Sequence, residues 1–228
     1  MSGFPTVIIT GASGGLGATV TGVFRGAGFR VAAVARRWNE GASDSDFVPI
    51  SADLTSRAGA ELAVMQGLAA LGGIDALVHL AGGFRGGANI EDTSDAVWDA
   101  MLDLNLKSAV HLLRAAIPVM RAQGRGRVVM VGSRAAVDPS PGLSAYAASK
   151  AALLSLAQTA AAELRDSGVT VNALLPSTID TPANREAMGE EQASRWVQPA
   201  SLASLILWLC SDAGRDVTGA AIPVYGRV

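Results

Sequence analysis

Short apolar runs bounded by turn-forming residues alternate along this chain with longer stretches of helical periodicity. Runs of this length, rich in β-branched residues, are typical of strands. The predicted strands are Thr6–Thr10, Arg30–Ala35, Phe47–Ile50, Ala76–Leu80, Arg127–Val131, Thr170–Leu175 and Ile222–Val224. Because most of these runs are continuously apolar instead of alternating with polar residues, they indicate a parallel sheet that is covered on both faces.

Helical periodicity fills the intervals between the predicted strands. The predicted helices are Gly15–Ala27, Arg57–Leu71, Asp95–Gln123, Ser144–Ser167, a short piece around Ala183–Arg195, and Pro199–Ser211. The pattern leaves open whether the helix over Asp95–Gln123 is continuous or interrupted. Regular alternation of strands and helices, with no repeat or linker, predicts a single α/β domain over residues 1–228. Its expected architecture is a doubly wound parallel sheet of about seven strands with helices on both faces.

Composition narrows the class of protein. Half of the 228 residues are hydrophobic and 17% are charged, so the chain can bury a large core. The formal net charge is −2 and the arginines are spread along the chain, which argues against a nucleic-acid partner. Cys210 is the single cysteine, and no apolar run approaches the ~18 residues of a membrane span. We therefore expect a cytoplasmic protein with no membrane partner and no metal site.

The most informative side chains lie near the middle of the chain. Tyr146 and Lys150 are four residues apart, so they share one face of a predicted helix. A phenol keeps its proton until pH ~10, and an ammonium beside it lowers that pKa. The pair can therefore move a proton to or from a substrate oxygen near neutral pH. Ser133, thirteen residues before Tyr146, is predicted to hydrogen-bond the same oxygen.

A glycine-rich turn joins the first predicted strand to the first predicted helix. Its sequence, from residue 10, is Thr-Gly-Ala-Ser-Gly-Gly-Leu-Gly. Glycines at such a junction let the backbone approach a pyrophosphate at the helix N-terminus, where free N–H groups and the helix dipole favour anions. A turn of this composition can also be purely structural, but its position favours nucleotide binding.

Taken together, these motifs resemble the short-chain dehydrogenase/reductase family over nearly the full length of the chain. The turn at residues 10–17 is similar to the family's Thr-Gly-x-x-x-Gly-x-Gly, and Ser133, Tyr146 and Lys150 match its Ser and Tyr-x-x-x-Lys set. Asn105 matches the helix asparagine that helps to hold a water in a proton relay, and Asp53 matches the aspartate that binds the adenine amino group. The resemblance implies a Rossmann fold and a nicotinamide-dependent oxidoreductase acting on a carbonyl/alcohol pair of the ketone, quinone or 3-oxoacyl type.

The resemblance also implies a set of site residues. Ser133, Tyr146, Lys150 and Asn105 are the implied catalytic group. The implied cofactor contacts are Gly11, Ser13, Gly15, Leu16, Gly17, Arg36, Arg37, Asp53, Leu54, Ala81, Gly82, Tyr146, Lys150, Pro176, Ile179 and Thr181. The segment around 177–197 is the expected substrate loop, and Phe84 and Trp196 are candidates to line the substrate pocket.

The cofactor is expected to be NADP(H) in preference to NAD(H), with NAD(H) as the alternative. The second predicted strand is followed by Arg36 and Arg37 instead of a carboxylate. A carboxylate there binds the adenosine 2′-hydroxyl of NAD, whereas an arginine accommodates a 2′-phosphate. The absence of a basic residue from the glycine turn predicts a preference, not absolute specificity.

Three segments depart from the family pattern. The usual Asn-Asn-Ala-Gly is replaced by His79-Leu80-Ala81-Gly82, and Pro176 is followed by Ser177 instead of glycine. The loops 82–87 and 179–185 are similar to the dihydropteridine reductase branch, which lacks the catalytic serine. Reduction of a quinonoid dihydropterin is therefore an alternative activity, and a non-catalytic dinucleotide sensor or scaffold is an alternative of another class.

Self-association is the expected protein partnership. The predicted helices 95–123 and 144–167 carry more apolar surface than one sheet face can cover, and such surfaces mark interfaces. The family usually pairs these helices across a two-fold axis. A homodimer or homotetramer is therefore predicted.

Overall fold

Seven parallel strands form one central sheet. The computed structural model describes residues 5–38, 43–138 and 140–228. The strands are β1 (Thr6–Thr10), β2 (Arg30–Ala35), β3 (Phe47–Ser51), β4 (Ala76–His79), β5 (Gly126–Val131), β6 (Val169–Pro176) and β7 (Ala221–Val224). Their order is β3-β2-β1-β4-β5-β6-β7, and every neighbouring pair is parallel. The predicted doubly wound α/β sheet is confirmed.

The winding direction reverses between β1 and β4. These strands are adjacent and in register from Val7 opposite Ala76 to Thr10 opposite His79, although they are far apart in sequence. Ligands of open α/β sheets bind in the crevice beyond the carboxyl ends of the strands at such a reversal. The topology therefore predicts a ligand-binding site at the two segments that follow Thr10 and His79.

Seven helices connect and cover these strands in the described part of the chain. They are α1 (Gly15–Gly26), α2 (Arg57–Leu71), α3 (Asp95–Leu102), α4 (Ser108–Gln123), α5 (Ser144–Glu163), α6 (Pro182–Met188) and α7 (Pro199–Cys210). The long stretch predicted over 95–123 is interrupted: α3 and α4 are joined by one π-helical turn, Asp103–Lys107. A π turn inside an α-helix is frequent at functional sites.

The two faces of the sheet have separate cores. Side chains of successive strand residues point to opposite faces. Ile8 and Leu77 therefore pack against α2, α4 and α5, while Ile9 and Val78 pack against α1 and α7. Within residues 5–38, 43–138 and 140–228, no helix is long and apolar enough to cross a membrane.

A single carboxylate ties the amino ends of β1 and β4 together. Asp75 Oδ2 accepts hydrogen bonds from Thr6 N at 2.9 Å and Thr6 Oγ1 at 3.0 Å, and Arg125 Nε donates to Asp75 Oδ1 at 2.8 Å. Burial raises the pKa of Asp75, but these hydrogen bonds outweigh burial and hold the pKa below its ordinary value of 3.8. The ionised carboxyl group is therefore the form that the fold stabilises.

Replacing Asp75 with Asn should destabilise the fold at pH 7 by about 1–2 kcal/mol, a value reduced for the partial exposure of the group. The folded pKa lies below the unfolded value, so the contribution of the carboxylate is complete above about pH 5 and is lost as pH falls through the folded pKa. Urea denaturation from pH 7 to pH 3 should show the gap between wild type and Asp75→Asn closing. Asp166→Asn, at an exposed position, is the control; a gap that stays constant with pH would contradict the assignment.

Candidate active site

Tyr146 lies in the first turn of α5 and faces a loop that follows β4. Its ring is half-buried and meets the ring of Phe84 edge to face, with 5.0 Å between centroids and 74° between planes. Phe84 is itself 64% exposed. The aromatic side chain predicted to line the substrate pocket therefore lies beside the candidate proton donor, with most of its surface free.

The pKa of Tyr146 is raised above its ordinary value of 10. Burial is the main cause, and a hydrogen bond with the Ser133 hydroxyl opposes it. The sequence predicted the opposite direction, from the Lys150 ammonium. The difference arises because burial of the phenol dominates and Lys150 hydrogen-bonds elsewhere, as described next. The structure therefore presents a protonated phenol.

Lys150 is a buried cation with few partners. It is 5% exposed, and its Nζ donates to the carbonyl oxygen of Val131 at 3.1 Å. Burial lowers its pKa to about 8. An ammonium has three donors, and in the described part of the chain Val131 supplies its one acceptor. A Cβ on Gly82 would lie 3.3 Å from Nζ, so the glycine leaves space in front of the ammonium.

Ser133 follows β5 and caps a short 3₁₀ turn over Arg134–Ala136. Its Oγ accepts a hydrogen bond from Ala135 N at 3.2 Å, which fixes the side chain through its lone pair and leaves the hydroxyl hydrogen for another acceptor. The same hydroxyl interacts with Tyr146. The structure thus brings the predicted serine and tyrosine together.

Asn105 lies in the π turn and is completely buried. Its Oδ1 accepts from Gly83 N at 2.9 Å, and its Nδ2 donates to Gly83 O and to Ser149 Oγ, each at 3.0 Å. Ser149 Oγ in turn donates to Tyr146 O at 2.7 Å. The side chain of Asn105 therefore joins the loop after β4 to α5, a role that the motif alone did not reveal.

A cleft of about 750 Å³ runs along the carboxyl ends of β1, β2 and β4. Eight predicted cofactor contacts line it: Gly11, Ser13, Arg36, Arg37, Asp53, Leu54, Ala81 and Gly82. Sequence reasoning missed nine lining residues: Gly14, Val34, Ala35, Ala52, Thr55, Leu80, Gly83, Leu104 and Ser108. Leu104 lies in the π turn and Ser108 directly follows it at the start of α4, so the apolar pattern of the sequence did not reveal that they line the cleft.

The start of α1 suits an anion. Gly15, Leu16 and Gly17 form its first turn, whose N-cap, Gly14, makes no side-chain hydrogen bond, and no acidic residue lies in this turn. Unsatisfied N–H groups and the positive end of the helix dipole favour a phosphate at such a position. A side chain on Gly17 would collide with the Gly11 carbonyl oxygen, so this turn requires glycine.

The residues that follow β2 and β3 on the cleft wall are exposed and charged. Arg36 and Arg37 follow β2 on the cleft wall. Asp53 Oδ1 accepts from Thr55 Oγ1 at 2.7 Å and from Thr55 N at 3.0 Å. These hydrogen bonds, aided by the positive charge of Arg36, hold the pKa of Asp53 below its ordinary value. The cleft thus combines two guanidinium groups with one ionised carboxylate.

The predicted substrate segment is tied to the body of the protein. Arg185 donates to both carboxylate oxygens of Asp180, at 2.6 and 2.8 Å, and Ile179 pairs with Val197 in an isolated bridge. Thr181 caps α6 and lies 3.2 Å from the Cβ position of Gly15, so the segment rests on the glycine turn. Pro176 ends β6 beside Val224. Of the predicted contacts in this segment, Thr181 therefore lies against the start of α1, and none of Pro176, Ile179 and Thr181 lines the cleft itself.

The substrate role predicted for Trp196 needs correction. Trp196 is 5% exposed, and its backbone N–H donates to Ala193 O in the short 3₁₀ turn that precedes it. Its burial leaves almost no surface for a substrate in this conformation. The exposed Phe84, not Trp196, is the aromatic group available beside Tyr146.

Three features of the site bear on whether it fits the dinucleotide that the motifs imply. Lys150 retains two donors, α1 offers uncapped N–H groups, and the cleft between them is large and flanked by two arginines. Each feature matches a different part of a dinucleotide: ribose hydroxyls, pyrophosphate and adenosine. The residues present therefore fit the group.

Comparison with known proteins finds relatives along most of the chain. A model of the short chain dehydrogenase family matches residues 5–192. Dehydrogenase/reductase SDR family member 4 from Homo sapiens is 38% identical over 165 residues, covering 68% of this chain and 59% of the human protein. The match thus spans about three fifths of the length of that relative. D-beta-hydroxybutyrate dehydrogenase from Rhizobium meliloti (strain 1021) is 30% identical over 253 aligned positions, covering 97% of each chain.

A solved structure extends the agreement to three dimensions. The 3-ketoacyl-(acyl-carrier-protein) reductase from Brucella melitensis, complexed with NADH, matches with a TM-score of 0.89 at 26% identity and covers 97% of each chain. The family model covers most of the sequence, and the residues it matches include six of the seven strands, the glycine turn, Ser133 and Tyr146. On this ground the chain belongs to the short-chain dehydrogenase family.

Proposed function

We propose that this protein is a nicotinamide-dependent oxidoreductase that interconverts a carbonyl and an alcohol. One observation carries the proposal: the protonated phenol of Tyr146, in contact with the Ser133 hydroxyl, lies one helical turn before a buried Lys150 whose remaining donors have no protein acceptor among the described residues. A dinucleotide-binding sensor needs none of these three groups. Their joint presence supports catalysis.

The residues divide the chemistry between them. When bound, the cofactor supplies or accepts a hydride at C4 of its nicotinamide. In the reducing direction Tyr146 gives its proton to the substrate oxygen, and the Ser133 hydroxyl hydrogen-bonds the same oxygen. Lys150 holds the nicotinamide ribose and, by its charge, stabilises the phenolate that remains. Asn105 keeps the loop before Phe84 against α5, which maintains the distance between cleft and phenol.

We propose NADP(H) as the preferred cofactor. Arg36 and Arg37 are the exposed cations at the end of β2, on the wall of the cleft. Guanidinium binds phosphate well, in favourable cases through two parallel hydrogen bonds. The Brucella melitensis reductase binds NADH, so family membership alone does not decide between the two cofactors. The arginine pair is the feature of this chain that favours the 2′-phosphate.

The substrate class is proposed from the surface beside Tyr146. The exposed ring of Phe84 offers an apolar, flat wall at the reacting end of the site. A ketone or quinone with a conjugated ring could lie along that wall. Reduction of a quinonoid dihydropterin is a second candidate, which the same aromatic contact favours; the presence of Ser133 distinguishes this chain from the branch it resembles.

Replacing Tyr146 with Phe should lower kcat for carbonyl reduction by about 10²–10⁴-fold, because the general acid is lost while the ring remains. Cofactor affinity should stay near that of the wild type. Steady-state turnover with a panel of ketones and quinones, together with a cofactor titration, measures both quantities. Tyr225→Phe removes the other phenol of the chain and serves as the matched control. Undiminished turnover in Tyr146→Phe would rule out its role as acid.

Replacing Arg37 with Asp should reverse the cofactor preference. The carboxylate would repel the 2′-phosphate of NADPH and accept a hydrogen bond from the 2′-hydroxyl of NADH. Loss of a charged phosphate contact corresponds to roughly ten- to hundredfold in kcat/KM. Arg165→Asp makes the same charge change at an exposed position in the turn after α5 and should leave the ratio unchanged. Equal kcat/KM values for the two cofactors in the wild type would refute the preference.

The protein should self-associate as a homodimer or homotetramer. Leu154, Leu156 and Ile117 lie on α5 and α4 and remain only partly buried, which leaves an apolar surface on the outside of these helices. Light scattering at micromolar concentration should give two or four times the chain mass of 23.2 kDa. A stable species of one chain mass would contradict this proposal.

A further inference from the structure

A histidine lies inside the sheet directly beneath the cofactor cleft. His79 ends β4 and is 1% exposed. Its Nδ1 lies 2.9 Å from Thr10 Oγ1, and its Nε2 lies 3.4 Å from Ser108 Oγ. Thr10 and Ser108 are also buried. Buried polar groups are retained when their hydrogen bonds are made, so this cluster has a defined arrangement.

The positions of the hydrogens follow by elimination. Ser108 Oγ gives its one hydrogen to the carbonyl oxygen of Leu104 at 2.7 Å. It can therefore only accept from His79, so Nε2 carries the proton. In a neutral ring Nδ1 is then an acceptor, and the Thr10 hydroxyl donates to it. Thr10 Oγ1 itself accepts from Ala81 N at 3.3 Å.

The surroundings keep the ring neutral. Burial, with a smaller contribution from the positive charge of Lys150, lowers the pKa of His79 to about 3. A second cation beside a buried ammonium would be costly. The imidazole therefore keeps one donor and one acceptor, and the chain of hydrogen bonds runs in a single direction from the loop after β4 to the π turn.

The residues at both ends of this series of hydrogen bonds line the cleft. Ala81, Leu104 and Ser108 line the space assigned to the dinucleotide. The residue after Leu104 is Asn105, which fixes Gly83 and, through Ser149, the first turn of α5. One imidazole thus links the two sides of the cleft, because its two nitrogens reach the hydroxyl of Thr10 on β1 and the hydroxyl of Ser108 on α4.

We propose that His79 is a positioning residue of the dinucleotide site, which holds the π turn at a fixed distance from the carboxyl ends of β1 and β4. The inference rests on the proposed cofactor binding but not on the identity of the substrate. It assigns a functional reason to the polar side chain at a buried strand end. The cofactor itself is not contacted by His79, so its effect passes through Ala81, Leu104 and Ser108.

His79→Phe keeps a ring of similar size and removes both hydrogen bonds, leaving the Thr10 and Ser108 hydroxyls without their partner. NADPH binding should weaken about tenfold, the equivalent of one buried hydrogen bond left unmade. Titration of the protein's tryptophan fluorescence with NADPH measures this dissociation constant without a substrate. In steady-state assays the KM for cofactor should rise more than kcat falls.

Ser108→Ala tests the other end of the bridge. It removes one oxygen, so it keeps the experiment decisive if His79→Phe does not fold. The single change should weaken NADPH binding to a similar extent. The double variant should bind NADPH no more weakly than either single variant, because both substitutions break the same series of hydrogen bonds. Thr170→Val is the matched control: its buried hydroxyl has no hydrogen-bond partner among the described residues, and it lies on β6 away from the cleft.

The outcomes separate the inference from the proposed function. Variants that bind NADPH as the wild type does, with only a lower Tm, would overturn the inference and leave the function standing. If the fold-losses of NADPH affinity multiply in the double variant, Ser108 acts independently of His79, and this result also overturns the inference. A wild-type protein that binds neither NADPH nor NADH would overturn both. Equal, non-additive losses with an unaffected Thr170→Val support the positioning role.

Discussion

The site depends on a lysine ammonium that is buried with too few acceptors. Lys150 is 5% exposed and donates to one carbonyl oxygen, that of Val131. Removing an ion from water costs several kcal/mol unless partners replace its hydration. The surrounding elements leave room for such partners: Gly82 has no side chain that would cover Nζ, and the cleft begins beside it. The lowered pKa of the lysine is the measurable sign of this incomplete solvation.

The other groups of the site keep this arrangement rigid. The π turn directs Asn105 inward, where its amide satisfies the backbone of Gly83 and reaches Ser149 on α5. Phe84 then covers the edge of Tyr146 and contributes to the burial that raises the pKa of the phenol. The pair is thus a protonated phenol and an ammonium whose pKa is lowered. A ligand that brings oxygen acceptors to Lys150 shifts both toward the state needed for proton transfer.

Much of the scaffold could be predicted because local pattern and global fold agree. The observed bounds of β1, β2 and α2 match the predicted ones, since apolar periodicity ends there at clear turn residues. The predicted helix 144–167 ends instead at Glu163, because Leu164 leaves the helical region and the chain turns before β6. The directions in which side chains point, and how deeply they are buried, were harder to predict from the sequence. The raised pKa of Tyr146, the burial of Trp196 and the link from His79 to Ser108 all depend on tertiary neighbours that spacing does not reveal.

The state of Lys150 can be measured directly by the protons exchanged when NADPH binds. At pH 8 the free protein, with a Lys150 pKa of about 8, should hold roughly half a proton on this group. New acceptors raise the pKa, so binding should draw in up to about half a proton per chain. Isothermal titration calorimetry at pH 8 in buffers of different ionisation enthalpy measures this uptake. An apparent binding enthalpy that depends on the buffer in wild type, and not in Lys150→Met, is the predicted result; the same enthalpy in every buffer for the wild type would contradict the account.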